Sequence, residues 1–159
     1  MKSLLLSALC LFLVACSGGQ DPAADPASAP EPTSAGDAVQ LELTEAVVEN
    51  GRLRLQGTTD VPDGAILRYR VEHDGFASGD FDGQLLGELT VANGAFSADM
   101  DVDGWPRGHA FTWISMEMHG QPASVVEAYG ANGERLAGPD VIRVADGNKV
   151  EIKVDVELP

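Results

Sequence analysis

Apolar and polar residues alternate along several short segments between residues 39 and 159. Successive side chains of a β-strand point to opposite faces, so this period of two is typical of strands that bury one face. The alternation predicts strands at residues 39–43, 52–56, 66–72, 85–91, 96–102, 111–118, 125–129 and 149–158. No window carries an apolar stripe at the helical period of 3.6 residues, so we predict an all-β domain.

Turn signals separate these segments at short intervals. Asn-Gly and Asp-Gly pairs, which tolerate the positive φ of tight hairpins, stand at residues 50–51, 93–94, 132–133 and 146–147, among others. About seven to nine short strands in a segment of this length favour an immunoglobulin-like Greek-key β-sandwich. A small antiparallel β-barrel is the alternative. Residues 111–118 form a longer, more apolar strand segment than the others, which predicts a central strand.

Residues 17–38 have a different composition, with Pro, Ala, Ser, Gly and acidic residues and no Ile, Leu, Phe or Tyr. Such a stretch cannot bury enough apolar surface to offset the entropy lost on ordering. We therefore expect a disordered tether. We expect the chain to divide into an N-terminal segment at 1–15, Cys16 with the tether at 16–38, and one domain at 39–159.

The N-terminal segment combines Lys2, a short apolar run and small residues before Cys16. This pattern is typical of a secretory signal, and its apolar run is shorter than the roughly 20 residues of a membrane-spanning helix. Because it ends on cysteine, it resembles the lipobox of bacterial lipoproteins. That resemblance implies that the preceding segment is removed and that Cys16 carries lipid, which anchors the protein to a membrane of the cell envelope. Ser17 stands where aspartate would imply retention in the inner membrane, so the resemblance favours the outer membrane, with the domain facing the periplasm or the cell surface.

The chain has 25 acidic against 10 basic residues, for a formal net charge of -15. Such a surface repels phosphate backbones, so we expect no nucleic-acid partner. Its two cysteines, Cys10 and Cys16, are removed or lipidated under the lipoprotein interpretation, which excludes a cysteine nucleophile and a cysteine-rich zinc site. The sequence contains no GxSxG, GxGxxG or GxxxxGK[ST] motif, and we predict that the protein is not an enzyme.

Two further stretches resemble the small Ig-like domains found in bacterial lipoproteins and other secreted proteins. They are Gly57-Thr58-Thr59-Asp60-Val61-Pro62-Asp63-Gly64 and Gln121 to Val125, the second followed by Gly130 to Pro139. These motifs are turn and corner residues spread over most of residues 51–142. The resemblance implies the fold and no particular activity.

The segment between the predicted third and fourth strands, residues 74–83, is longer than a hairpin turn. Long loops on a rigid scaffold often carry function. Its candidate binding residues are Asp74, Phe76, Asp80, Phe81 and Asp82. We expect either an aromatic, acidic binding surface or phenylalanines that fold back to cap the sandwich.

Two sets of residues have the types that bind metal ions in other proteins. Asp99, Asp101 and Asp103 followed by Gly104 match the first half of an EF-hand calcium loop, but its twelfth position is Ala110 instead of glutamate. Alternate carboxylates on a strand lie roughly 7 Å apart, which favours a solvated strand face. Met116 and Met118 with His109 or His119 are the residue types of a copper site, although methionines at alternate strand positions are more typical of a core.

The few basic residues pair up along strands, as Arg52 with Arg54 and Arg68 with Arg70. We expect them to contact acids such as Glu42, Glu72 and Glu88, or, if the two pairs are contiguous, to form a positive island. Trp105 is predicted to pack at the end of the sandwich. Trp113 stands in the central strand, at a position whose parity opposes that of Ile114.

Together these observations predict a lipid-anchored envelope protein whose domain binds another envelope protein or a glycan without catalysis. The first alternative is a metal-binding envelope protein that uses Ca²⁺ or copper. The second is an inhibitor or chaperone of one enzyme.

Overall fold

The computed structural model describes residues 38–159. The elements are β1 (Leu41–Glu49), β2 (Arg52–Thr59), β3 (Ile66–His73), β4 (Gln84–Thr90), β5 (Ala95–Asp101), β6 (Gly108–Met116), α1 (Ala123–Tyr129), β7 (Val141–Val144) and β8 (Gly147–Leu158). The predicted signal segment, Cys16 and the tether up to residue 37 lie outside the described residues. Within the described range, no helix has the length and apolar character that a membrane crossing requires.

The eight strands form two antiparallel sheets. One sheet has the order β1-β2-β5, and the other has the order β4-β3-β6-β8-β7. The chain alternates between the sheets so that β2 pairs with β5 and β3 with β6, as in an immunoglobulin-like Greek key. The sheets stay separate, which confirms the sandwich over the barrel. β6 lies at the centre of the five-stranded sheet, as its long apolar run predicts.

The core lies between the two sheets and is filled by alternate residues of the strands. Leu53, Leu55, Leu67 and Val71 have no exposed surface. On β8, Val150 and Val156 are buried, and Ile152 and Val154 pack against them, as the alternation predicts. Residues 38–159 hold both sheets and the core between them, which is what a domain needs in order to fold alone.

The predicted strand at residues 125–129 is wrong, because this segment is the helix α1. Val125 is fully buried, and Val126 and Tyr129 pack partly against the core from the same helix. The Arg135 guanidinium donates hydrogen bonds to the carbonyls of Ala128 and Glu127 at the helix end. Two turns of helix are too short to display a period of 3.6 in the sequence, and the tertiary contacts decide the conformation.

The predicted hairpin turns form at two of the Asn-Gly and Asp-Gly pairs. Asn50, with a φ of 51°, connects β1 to β2 in a hairpin. Asn93, with a φ of 52°, lies in a tight turn between the bridged residues Ala92 and Ala95, and this turn carries the chain from β4 in one sheet to β5 in the other. Asp146-Gly147 connects β8 to the short strand β7, which the sequence pattern did not predict. Asn132-Gly133 lies in the connection after α1 and joins no hairpin.

The chain is fastened where it enters the sandwich. Val39 N–H donates to the carbonyl of Ala137 at 2.7 Å, and Gln40 N–H donates to Oδ1 of Asp60 at 2.9 Å. The carbonyl of Gln40 accepts the hydroxyl of Thr59 at 2.7 Å. These bonds hold the backbone in place just before β1 begins its ladder with β2.

Candidate binding face

The loop at residues 74–83 folds partly back onto the sandwich. The Phe81 ring packs edge to face on His73, with ring centroids 5.0 Å apart, and on Trp105 at 5.9 Å. Trp105 thus packs at the end of the sandwich, as predicted. Phe76 is half-buried, and it is not among the rings that Phe81 contacts in the described residues. The loop therefore does not present its two phenylalanines side by side.

The aspartates of this loop contact the loop itself and its neighbours. Asp80 accepts a hydrogen bond from the Ser78 hydroxyl at 2.6 Å, and Asp74 accepts one from the N–H of His109 at 3.3 Å. Asp82 is exposed. Buried His73 is held by the carbonyl of Pro106, 3.2 Å from Nε2, and by the N–H of Gly75, 2.9 Å from Nδ1. Because a carbonyl only accepts, Nε2 is the donor to Pro106. Nδ1 lies 2.9 Å from both the Gly75 N–H and the Asp74 carboxylate oxygen Oδ1.

The structure does not support a calcium site at Asp99, Asp101 and Asp103. Nε of Arg52 donates to Asp99 at 2.7 Å, and the same guanidinium lies 3.8 Å from Asp101. Asp101 also accepts the backbone N–H of Asp103. Within residues 38–159, no three His, Cys, Asp or Glu side chains are grouped so as to hold a metal ion.

The residue types proposed for copper are also separated by the fold. Met116 and Met118 are buried in the core. His109 is exposed, and its Nδ1 lies 2.9 Å from the Asp155 carboxylate. His119 is exposed as well. Because the methionines are buried in the core and both histidines are exposed, the structure supports the core interpretation of Met116 and Met118 and does not support a copper site.

The alternative of a positive island does not hold, because the two arginine pairs lie on different sheets. Arg52 and Arg54 stand on β2 of the three-stranded sheet, near Asp99 and Glu45. Arg68 and Arg70 stand on β3 of the five-stranded sheet. There Arg68 contacts Glu88 and Glu117 at 3.2 and 3.1 Å, and Arg70 contacts Glu72 at 3.6 Å. The pairing with Glu72 and Glu88 confirms part of the prediction.

The solvent-facing side of the five-stranded sheet, here called the outer face, carries the exposed large aliphatic residues of the described chain. They are Leu86, 65% exposed, Ile142, 39% exposed, and Val144, 40% exposed. Strand register places them there, since Leu86 is opposite Arg70 and Ile142 is opposite Lys149. By contrast, β2 and β5 of the other sheet expose arginines and aspartates that contact one another. Of the two sheets, the five-stranded one therefore has the amphipathic outer surface.

One row of this face, here called the aromatic row, consists of Leu86, Arg70, Trp113 and Lys153. Direct register partners connect the four residues across four strands. The Arg70 guanidinium lies 4.1 Å from the centroid of the Trp113 ring, and Nζ of Lys153 lies 4.9 Å from it. The two cations belong to β3 and β8, the strands that flank β6 on its two sides. Each such contact contributes about 0.5–1 kcal/mol at an exposed site.

Phe111 extends the aromatic surface along β6. Its ring centroid lies 6.4 Å from that of Trp113 and 4.6 Å from Nζ of Lys153. Among the described residues no carboxylate oxygen lies within 4.0 Å of Nζ of Lys153. Lys153 is therefore available to an anionic group of a ligand while its stem stays packed on the rings.

Ion pairs border the aromatic row on the side toward α1. Arg68 lies between its two glutamates, and Nζ of Lys149 is 2.6 Å from Glu151. A groove of about 530 Å³ runs among Arg70, Leu86, Trp113 and these pairs. A second depression of about 540 Å³ shares Glu117 and Lys149 with it and reaches Val144. The groove therefore offers apolar contact, the guanidinium of Arg70 over the Trp113 ring, and hydrogen-bonding carboxylates. Lys153 lies next to Trp113, outside the residues that line the groove.

The sequence contained one signal for this face. The parity of Trp113 opposes that of Ile114, and in the structure Ile114 is buried while Trp113 faces outward. Exposing the large apolar surface of a tryptophan to water is unfavourable in free energy, and aromatic residues are enriched at the cores of interfaces.

No protein-family model matches the chain, and no curated protein matches it significantly.

Proposed function

We propose that this chain is a lipid-anchored envelope protein whose Ig-like domain binds another envelope protein or a glycan, without catalysis, through the outer face of the five-stranded sheet. The observation that carries the proposal is the composition of that face. Its aromatic row joins Trp113 to two cations and ends at exposed Leu86 on β4, and Ile142 and Val144 are exposed on β7 at the other edge of the same face.

Physical chemistry supports a binding role for such a surface. Contiguous apolar surface on a solvated face marks interaction sites, and Phe111 and Trp113 form such a surface, with Leu86 in the same row as Trp113. Tryptophan and arginine are the residue types that dominate the binding energy of interfaces. In a chain with a net charge of -15, a row that holds Arg70 and Lys153 also selects for anionic groups on the partner.

The anchor is supported by the N-terminal sequence. The lipobox resemblance at residues 13–16 predicts acylation of Cys16, and the tether that follows would let the domain reach partners away from the bilayer. A fatty acid carrying an alkyne group is expected to label the wild-type chain in its own bacterium and to leave Cys16→Ser unlabelled. Labelling of both would contradict the anchor.

Site-specific photo-crosslinking tests the binding face. A photoreactive phenylalanine analogue replaces Lys153 in the full-length protein, and the matched control carries it at Arg54, an exposed cation on the other sheet. We expect irradiation of intact cells to give a discrete adduct at position 153 and none at position 54. A single added mass indicates a protein partner, and a ladder that collapses on glycan digestion indicates a glycan.

Charge reversal sharpens the result. Arg70→Glu with Trp113→Ala is expected to reduce the adduct at position 153 by at least about tenfold, because both the cation and its aromatic support are lost. The control pair Arg52→Glu with Arg54→Glu changes the charge on the other sheet and is expected to leave the adduct unchanged. Equal adducts at positions 153 and 54, or no adduct at 153, would contradict the proposal.

A further inference from the structure

One edge of the five-stranded sheet is open. β4 pairs with β3 along its whole length, from Gln84 opposite Glu72 to Thr90 opposite Ile66, and it has no strand on its other side among the described residues. An open edge presents unpaired backbone N–H and C=O groups, which form a template for another strand.

The hydrogen bonds at both ends of β4 show which of its residues direct their backbone N–H and C=O groups away from β3. His73 N–H donates to the carbonyl of Gly83, and Val91 N–H donates to the carbonyl of Ala65, each at 2.9 Å. Hydrogen-bonded pairs alternate along an antiparallel ladder, so the odd-numbered residues of β4 bond to β3. The even-numbered residues therefore direct their backbone groups outward: Gln84, Leu86, Glu88 and Thr90. All four are exposed, and no loop or turn hydrogen bond among the described residues uses their backbone groups.

The other edges of the sandwich are protected in ways that β4 is not. β7 is only four residues long. β1 has an irregular register between Leu43 and Glu45, and β5 carries aspartates along its outer side. Short strands, bulges and charges are the usual means by which proteins block edge pairing. β4 has seven residues in regular register, one charged residue, Glu88, and the most exposed large aliphatic residue, Leu86, near its middle.

We propose that β4 pairs with β4 of a second copy of this chain, antiparallel and across a two-fold axis that places Leu86 opposite Leu86. In this register Gln84 of one copy faces Glu88 of the other. The Gln84 amide donates one N–H to Glu72 at 2.8 Å, and Oε1 of Glu88 accepts from Arg68 at 3.2 Å, so the second amide N–H and the second carboxylate oxygen are the pair that would meet across the axis. Centring the axis on Glu88 would oppose two carboxylates, and centring it on Gly87 would place Leu86 against Glu88. The chosen register alone buries Leu86 on an apolar residue and opposes no like charges, as a self-complementary two-fold interface requires.

The pairing would join the five-stranded sheets of two copies into one continuous sheet. Both outer faces would then lie on the same side of it, with the paired Leu86 residues between two aromatic rows. Five strand spacings of about 4.8 Å separate the two Trp113 residues, which places them about 24 Å apart. The inference rests on the β4 edge and does not require that the proposed envelope partner exists.

Salt distinguishes this contact from binding at the aromatic row. Each copy carries a large negative charge, so repulsion opposes pairing at low ionic strength and is screened at high ionic strength. Dimerisation is therefore expected to strengthen with salt. Binding of an anionic partner to Arg70 and Lys153 is expected to weaken under the same conditions, so the two proposals fail independently.

Sedimentation equilibrium of residues 38–159 tests the proposal, at protein concentrations from about 10 μM to 1 mM and at about 0.15 and 0.5 M NaCl. We expect a reversible monomer–dimer equilibrium that is stronger at high salt. Leu86→Lys is expected to weaken dimerisation at least about tenfold, since it sets two ammonium groups against each other. The matched control Val144→Lys, an exposed aliphatic residue on the opposite edge, is expected to leave dimerisation unchanged. Urea unfolding midpoints establish that both variants remain folded.

Disulfide trapping tests the register, because the chain's two cysteines, Cys10 and Cys16, lie outside this range. Leu86→Cys is expected to oxidise to a covalent dimer much faster than Val144→Cys. Gln84→Cys is expected to cross-link with Glu88→Cys in a mixture, but not with itself. A monomer at every concentration and both salts would overturn the proposal. So would equal trapping at positions 86 and 144, or an open β4 edge that captures a different protein while the chain itself stays monomeric.

Discussion

Replacing Thr112 with valine is expected to stabilise the domain. Thr112 lies on the core side of β6 and has no exposed surface. Its register partners are Val71 on β3 and Val154 on β8. Among the described residues its Oγ1 has no hydrogen-bond partner. Folding therefore removes this hydroxyl from water and returns no bond in the described structure.

The magnitude follows from the burial of that one group. Leaving a buried hydroxyl unsatisfied costs about 1–3 kcal/mol. Valine has nearly the same shape and the same stiff χ1, so it replaces the hydroxyl with a methyl group at little steric cost. We expect the free energy of unfolding to rise by about 1–2 kcal/mol. For a domain of this size the thermal midpoint would rise by roughly 3–8 °C.

Urea unfolding of residues 38–159 measures the effect, with an unchanged m-value as the sign that the unfolding reaction is the same. Thr112→Ser keeps the hydroxyl and loses the methyl group, and it is expected to destabilise by about 1 kcal/mol. Thr58→Val makes the same chemical change at an exposed strand position and reports strand propensity alone. If Thr112→Val is no more stable than wild type once that control is subtracted, the hydroxyl is not an uncompensated cost and the reasoning is wrong.

Three further predictions use the same unfolding assay. Gly57→Ala places a Cβ against the Phe96 ring and the carbonyl of Glu42. It is therefore expected to lower the free energy of unfolding by about 1–3 kcal/mol. A variant as stable as wild type would show that β1 and β5 can move away from β2 at no cost. Phe81→Ala removes the ring that packs on His73 and Trp105, and the free energy of unfolding is expected to fall by about 2 kcal/mol because this phenylalanine is half-buried. An unchanged free energy of unfolding would favour the alternative that Phe81 contacts a ligand. Backbone N–H groups of Glu134 and Asn132 lower the pKa of the Glu134 carboxyl from its ordinary value of 4.5. The stabilisation that the ionised Glu134 carboxylate gives the folded state is therefore present above about pH 4.5 and is lost as the pH falls through the lowered pKa. Glu134→Gln is expected to flatten the acid side of the profile of unfolding free energy against pH. An unchanged profile would contradict this.

The strand pattern was predictable because each strand buries one face, and alternation records that burial residue by residue. α1 was not predictable in this way. It has seven residues, of which Val125 alone is fully buried, and so short an element leaves no periodic trace. β7 was missed for a related reason, since three of its four residues are exposed and its position depends on the hairpin with β8.

The candidate binding face could be predicted only in fragments. The parity of Trp113 pointed outward, but its neighbours Arg70 and Lys153 lie 43 and 40 positions away in sequence and meet it only through the strand order. The same strand order separates Arg52 from Arg68, which look equivalent as sequence. Pairing and register are tertiary properties, and no local pattern encodes them.

The fastened start of the sandwich has a mechanical consequence. β1 runs antiparallel to β2 from Leu41 opposite Thr59 to Glu49 opposite Arg52, so tension applied at residue 38 along the strand direction loads the whole ladder in shear. The bonds of Val39 and Gln40 to Ala137 and Asp60 would carry the load first. A domain pulled from that side would therefore resist with many bonds acting in parallel instead of opening one bond at a time, and its lifetime under force would be set by the rate of unfolding. A protein held at one end by an anchor and at its side by a partner would use this strand as its tensile element.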